Sequence, residues 1–453
     1  MPERIVESLI DESLVAVARA IQLRERSAVE TLDRHAQRVA KFNPRLNAVV
    51  ALDLETAHAR ARAADAALAR GESWGPLHGV PFALKDCHEV AGSPTTVGSQ
   101  MFAGYRPTHD GAVMRRLRAA GAILIGRTNV PEFLSDYQSF NAVYGRTSNP
   151  FDAGRTSGGS TGGAAAVATG MTPFDIGTDL AGSVRLPAAF CGVYGLKPTE
   201  HRISAAGVHP NPQNHPRQVR VISCVGPLTR TVDDLVFLMD LLGQPDFEDM
   251  SVAPVPLSEP TPGAGGLRVA YVPTLDGGPI ASSSARALKR AADALAGRGA
   301  IVEEVPSPAT ELSADLAAHG ELVQMMLTAF QDTDKPKPTF EDHLRAMQRR
   351  DERSAELERW FDGWDALLCP VAMTNAFRHC DTGTPIDVDG KPQSYMRLGS
   401  HLAGFNYTGH PALSVPAGFD DQGLPLGVQL AAARWQEGKL FALARALRDH
   451  VPQ

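Results

Sequence analysis

Two stretches of this chain alternate helix-like and strand-like patterns in an order that admits one class of architecture. Ala112–Ala120 has helical spacing, Gly121 closes it, and the strand-like Ala122-Ile-Leu-Ile125 follows at once. Further on, Leu267–Val272, Ala285–Leu295 and Ala300–Val305 read as strand, helix and strand. An apolar strand returned to its sheet through a helix predicts an α/β fold with a partly parallel, helix-covered sheet.

The rest of the chain fits that frame. Residues 1–70 read as a helical segment, with Val15–Leu23 and Ala57–Leu68 in helical spacing and Gly71 as a stop. Residues 71–453 read as one α/β domain. Five prolines and several glycines mark a linker or surface loop near 244–266. Helices are expected over 309–330 and 340–362 and at Gly438–Asp449. Late strands are expected at Ala366–Cys369, Ala412–Pro416 and Gly427–Leu430.

Composition removes several functions. The net charge is −7, so no basic patch for nucleic acid is implied. No run approaches the roughly 18–20 apolar residues that span a bilayer. The first residues mix acids with apolar side chains, unlike a secretory leader, so a cytoplasmic protein is expected. Asn406-Tyr-Thr408 then reads as an incidental glycosylation tripeptide. Cys87, Cys191, Cys224, Cys369 and Cys380 are far apart and lack metal-ligand spacing, so they read as packed thiols, and no metal is expected.

Two glycine-serine turns carry the chemistry. They are Ser157-Gly-Gly-Ser-Thr-Gly-Gly163 and Gly177-Thr-Asp-Leu-Ala-Gly-Ser-Val-Arg185. Each sets hydroxyls among residues with little side chain, which suits close backbone approach to a substrate and N–H groups facing a developing charge. Ordinary loops share that composition. The first turn lacks the lysine of a phosphate-binding loop. Its Gly158-Gly-Ser-Thr-Gly162 matches a nucleophile elbow literally, but Phe151-Asp-Ala-Gly-Arg-Thr-Ser157 ahead of it is no apolar strand.

Taken together, the motifs resemble the amidase signature family. The first turn is similar to its GGSSGG segment, with Thr161 in place of the second serine, and the second turn to its G[ST]D-x-[GA]GS-[IV]-R segment. Pro187–Gly192, Gly195–Thr199, Gly79-Val-Pro-Phe-Ala-Leu-Lys-Asp86, Gly121–Asn129, Gly409–Pro416 and Gly423–Gln429 continue the likeness over roughly 75–435. The resemblance implies a central mixed sheet covered by helices on both faces. It implies Ser183 as nucleophile, Ser160 as a bridging serine held by a cis peptide bond, and Lys85 as the base. The N–H groups of Leu180, Ala181, Gly182 and Ser183 would form the oxyanion hole, and no cofactor takes part.

Such a base needs burial, because a solvated lysine is charged at neutral pH. Lys85 follows an apolar run, which permits it. Asp86 would oppose it unless the two side chains point to opposite faces of an extended strand. Asp179 and Arg185 are expected to brace the nucleophile turn.

Substrate contacts are expected from Leu134, Ser135, Asp136 and Gly159. The aromatic-rich Glu132–Asn141 lacks the polar pattern of the glutamyl-tRNA amidotransferase subunit, favouring an apolar or aryl substrate, although these aromatics also suit a core. The Pro- and His-rich segment 200–223 is expected to form a lid, with Arg202 touching substrate, or else a plain surface loop. Departures from the family pattern are Cys87 where asparagine is usual, Ala181 where glycine is common, and one residue fewer between Gly163 and Gly170. The expected activity is hydrolysis of small-molecule amides, with carbamates and esters as variants, by a monomer or homodimer. The competing readings are an amidotransferase subunit that needs a partner, and a noncatalytic binding module.

Overall fold

The computed structural model describes residues 12–209, 219–257, 263–275, 278–308, 312–328 and 337–448. Strands β1 (Val49–Val50), β2 (Pro81–Lys85) and β3 (Ile123–Thr128) form a small sheet in the order β1-β3-β2. β2 and β3 are parallel and joined through the helix Ala112–Ala119, so the predicted helix–strand unit is half of a β-α-β crossover. A short antiparallel pair follows, β4 (Phe140–Asn141) and β5 (Gly145–Arg146).

The principal sheet begins with β6 (Phe174–Asp179), β7 (Tyr194–Lys197) and β8 (Cys224–Thr229). It continues with β9 (Arg268–Tyr271), β10 (Ile301–Glu304) and β11 (Ala366–Pro370). After an antiparallel pair outside the sheet, β12 (Ile386–Val388) and β13 (Lys391–Gln393), the chain returns through β14 (Ala412–Phe419) and β15 (Pro425–Ala431). The eight strands run in the order β10-β9-β11-β15-β14-β7-β8-β6. β9 is parallel to β10 and β11, and the other pairings are antiparallel, which makes the sheet mixed.

Helices flank this sheet. Ser282–Gly297 bridges β9 and β10 and buries Ala287, Leu288, Ala291 and Leu295, the spacing of one helical face. Arg185–Cys191 packs against β7, β14 and β15, and Glu437–Arg448 against β14 and β15. Residues 12–70 supply the helices Leu14–Gln22, Ala28–Leu46 and Leu54–Ala69. β1 lies between the last two and is stitched to β3, and Leu14, Leu32 and Ala61 share the main core with Phe82 and Phe174.

β2 and β6 belong to different sheets but lie side by side. Phe82 and Phe174 stack across them with centroids 5.4 Å apart. Burying each ring contributes roughly 2 kcal/mol, and together they fix the strand ending at Lys85 against the strand leading to Ser183. The described parts of 244–266 contain neither helix nor strand. Within the segment 200–223 expected as a lid, His209 N–H donates to the Cys87 carbonyl at 2.7 Å. Residues 210–218 of that segment lie outside the described residues. Among the described residues, no helix is long and apolar enough to cross a membrane.

Candidate active site

The run Pro81–Lys85 is buried along its whole length, and it carries the Lys85 amino group into the interior. Nζ donates to Ser160 Oγ at 2.9 Å, to Thr178 Oγ1 at 2.9 Å and to the Thr178 carbonyl at 3.2 Å. Desolvation lowers the Lys85 pKa from the ordinary lysine value, against the opposing pull of Cys87, Asp175 and Asp179. Asp86 turns elsewhere: it accepts the Thr96 N–H at 3.0 Å and the Thr96 hydroxyl, and lies 3.8 Å from Arg127 Nε. The strand ends at Lys85 and Asp86 opens a turn, so the expected extended alternation does not apply; its contacts with Thr96 and Arg127 keep the neighbouring carboxylate off the lysine.

Ser160 is buried, and the Gly159–Ser160 peptide bond is cis. Gly159 permits close packing of this turn, because an added Cβ would lie 2.3 Å from the Asp136 carbonyl oxygen. Thr161 follows and donates to Asp175 Oδ2 at 3.3 Å.

Ser183 lies in the turn between β6 and the helix Arg185–Cys191 and is partly exposed. Gly182 before it has φ +104°, and a Cβ there would sit 2.2 Å from Leu402 Cδ1, so the turn requires glycine. Val184 and the Lys85 side chain meet over Gly177, 3.1 Å and 3.9 Å from the Cβ it lacks. Lys85 and Ser160 are therefore joined directly. Among the described residues, no hydrogen bond links Ser160 to Ser183.

Asp179 and Arg185 hold the turn. Asp179 accepts from the N–H of Gly182 at 2.8 Å and Val184 at 3.2 Å, and from Arg185 Nε at 3.0 Å and Nη2 at 2.9 Å. Burial opposes ionisation of Asp179, but Arg185 and the Gly182 N–H outweigh it and hold the carboxyl well below its usual range. Arg185 also reaches Gln429 at 2.8 Å, Asn406 at 2.6 Å and the Leu402 carbonyl at 3.1 Å. The Gly182 N–H, expected in the oxyanion hole, is thus committed to Asp179. Among the described residues, no acceptor is found for the N–H of Leu180, Ala181 or Ser183.

The expected substrate residues separate into two groups. Leu134, Ser135 and Asp136 lie on the turn after Phe133, where Phe133 and Leu134 have positive φ. Ser135 is exposed and donates to the Glu132 carbonyl at 2.8 Å. Asp136 accepts from the Tyr395 and Thr382 hydroxyls, and its backbone rests on Gly159. Phe133 and Phe140 are exposed, and Tyr137 packs on Tyr395 with centroids 5.9 Å apart. Arg202 departs from expectation. It is buried, with Nε 2.8 Å from Glu437 Oε1, Nη1 3.0 Å from the Val255 carbonyl, and its guanidinium 4.8 Å from the Trp435 ring centroid. Nε and Nη1 brace the fold in this way, while Nη2 is buried with no hydrogen-bond partner among the described residues.

Several site residues escaped the sequence reading. Thr178 stands inside a quoted motif, yet nothing local marks its side chain as an acceptor for Lys85. Asn406, the asparagine of the glycosylation tripeptide, is buried and donates to the Asp179 carbonyl at 2.8 Å, a place that admits no glycan. Asp175 is buried beside Thr128 and Thr161, and burial pushes its carboxyl up to about 7, against the opposing pull of Lys85 and those hydroxyls. His319 meets the Leu180 carbonyl at 2.7 Å. The cysteines are free, and all but Cys380 are buried. Among the described residues, no cluster of His, Cys, Asp or Glu suits a metal ion.

The chain matches the family model described as Amidase over residues 30–341 and 318–441. The glutamyl-tRNA(Gln) amidotransferase A-subunit of Thermosynechococcus vestitus is 32% identical over 480 residues, spanning 96% of this chain and 97% of its own length. The solved structure of 6-aminohexanoate cyclic dimer hydrolase complexed with substrate is similar at TM-score 0.82 and 28% identity, covering 98% of this chain and 97% of that one. A bacterial aryl acylamidase of the amidase signature enzymes superposes at TM-score 0.84 with 25% identity over 96% of each chain. With the family model matching both glycine-serine turns and the likeness running the length of the molecule, the chain belongs to the amidase signature family and is an amide-cleaving enzyme.

Proposed function

We propose that the chain hydrolyses small amides through a covalent acyl-enzyme, with Ser183 as nucleophile, Ser160 as proton relay and Lys85 as base. The observation that carries this reading is the contact set of the buried Lys85. A neutral amine has two N–H groups and one lone pair. With the two N–H groups on the Thr178 carbonyl and hydroxyl, the lone pair faces the Ser160 hydroxyl. Burial favours that neutral form.

Lys85 takes the Ser160 proton as Ser160 takes the proton of Ser183, and Ser183 Oγ attacks the carbonyl carbon. Contacts of this kind are often long before substrate binds and tighten in the complex. The oxyanion is received by the N–H groups of the turn at Leu180, Ala181 and Ser183, each worth about 3 kcal/mol when aimed at the developing charge. The proton returns through Ser160 to the leaving nitrogen, the C–N bond breaks, and water releases the acyl group by the same route reversed.

An apolar acyl or aryl group suits this site. Leu180 packs into an apolar cluster with Ile222, Leu322, Met326 and Tyr407, which places greasy surface beside the reacting turn. Carbamates and esters present the same carbonyl and are proposed as further substrates. A monomer or homodimer suffices for this reading. A second reading, release of ammonia from glutamine for a partner protein, is favoured by the relatives named as amidotransferase A-subunits. The purified chain alone, offered p-nitroanilides, carbamates, esters and L-glutamine, separates the two. Anilide turnover that vanishes in Ser183→Ala supports the hydrolase. Activity confined to glutamine and dependent on an added partner supports the amidotransferase.

A further inference from the structure

Asp175 is a fully buried carboxylate that the steps above do not use. It stands on β6, behind the helix Gly163–Ala168, and Gly163 leaves its space, since a Cβ there would lie 1.8 Å from Asp175 Oδ2. Oδ1 accepts from Thr128 Oγ1 at 3.2 Å, and Oδ2 from Thr128 at 3.3 Å and Thr161 at 3.3 Å. These two threonines are the neighbours of the reacting pair. Thr128 is the register partner of Lys85 across β2 and β3, and Thr161 follows Ser160. One carboxylate thereby ties the lysine strand to the serine turn.

We propose that Asp175 is a positioning residue that holds Lys85 and Ser160 in register and, through its negative charge, sets how readily Lys85 gives up its proton. This rests on the proposed role of Lys85 as base. The charged and titratable groups around Lys85 are Cys87 on its own segment, Asp175 and Asp179 from β6, Arg127 from β3, the buried His88 and the partly exposed His209. Asp179 is neutralised by Arg185 and Asp86 faces Arg127. Asp175 has hydroxyl partners but no ion-pair partner among the described residues, so once it ionises, as pH rises through about 7, its charge is left to act on the lysine. In low-dielectric surroundings an opposite charge nearby moves a pKa by about 1–3 units.

The test is the pH profile of kcat/KM for wild type, Asp175→Asn and Thr161→Val. Its acid limb reports the base of the free enzyme. Removing the carboxylate charge takes support from the ammonium, so the limb of Asp175→Asn is expected to move to lower pH by about one unit or more, with KM little changed. Thr161→Val, which removes one hydroxyl from the carboxylate and favours its protonated form, is expected to move the limb the same way by less. It stands in should Asp175→Asn fail to fold. Limbs that coincide with wild type overturn the proposal, whatever happens to kcat. Titration of the Lys85 13Cε NMR signal, assigned by its loss in Lys85→Met, reads the same coupling without turnover. If Ser183→Ala kept its activity, the catalytic reading would fall while this titration still decided the role of Asp175.

Discussion

Individual side chains in this interior are held by partners distant in sequence, and their charge states follow from those partners. In the proposed mechanism Lys85 can act as a base only because it is buried, so Lys85→Ala is expected to lower kcat/KM by a factor on the order of 10³. No single His→Ala change should match that loss, because His88 and His209 lie near Lys85 without a hydrogen bond to either serine. A kinetic comparison of these variants checks it. Asp179→Asn leaves the Arg185 guanidinium buried without its counter-ion and is expected to cost about 3 kcal/mol, read as a fall in denaturant midpoint. Asp175 has the opposite sign. Its folded pKa is raised to about 7, above the unfolded value, so the stability it confers is present in acid and lost as pH rises through about 7. Asp175→Asn should flatten that decline in unfolding free energy between roughly pH 4 and 7.

At the scale of elements, the glycine-serine turns are built by exclusion of side chains. Gly159→Ala would drive a Cβ into the Asp136 carbonyl, a backbone atom that cannot swing away. Loss of most turnover is expected, with the fold retained by circular dichroism. The β-α-β units were legible because apolar runs of strand length abut helices of clear periodicity, as at β2–β3 and β9–β10. The two residues of β1 were not, because so short a strand has no period and exists only by pairing with Thr128 and Arg127. Both turns were legible as motifs, and Lys85, Ser160 and Ser183 could be singled out. What escaped were contacts across the fold: Asn406 on Asp179, Thr178 on Lys85, and Asp175 on Thr161. Nothing near those residues in sequence announces the partner.

For the molecule as a whole, two sheets meet where β2 lies against β6; the proposed base Lys85 ends β2, and the turn of the proposed nucleophile Ser183 follows β6. Other braces carry stability. The Arg202–Glu437 pair joins the segment after β7 to the last helix, and Arg350–Glu200 joins it to the helix Phe340–Trp360. Arg202→Ala is expected to cost about 3 kcal/mol while leaving KM near wild type, which a thermal melt and a saturation curve together check. A large rise in KM without loss of stability would return Arg202 to the substrate site. The most direct measurement is peptide mapping of the chain after reaction with a serine-directed phosphonate. One adduct on Ser183, absent in Ser183→Ala and slowed in Lys85→Ala, is the predicted result. An adduct on another residue, or full amide turnover by Ser183→Ala, would contradict the assignment of Ser183 as the nucleophile.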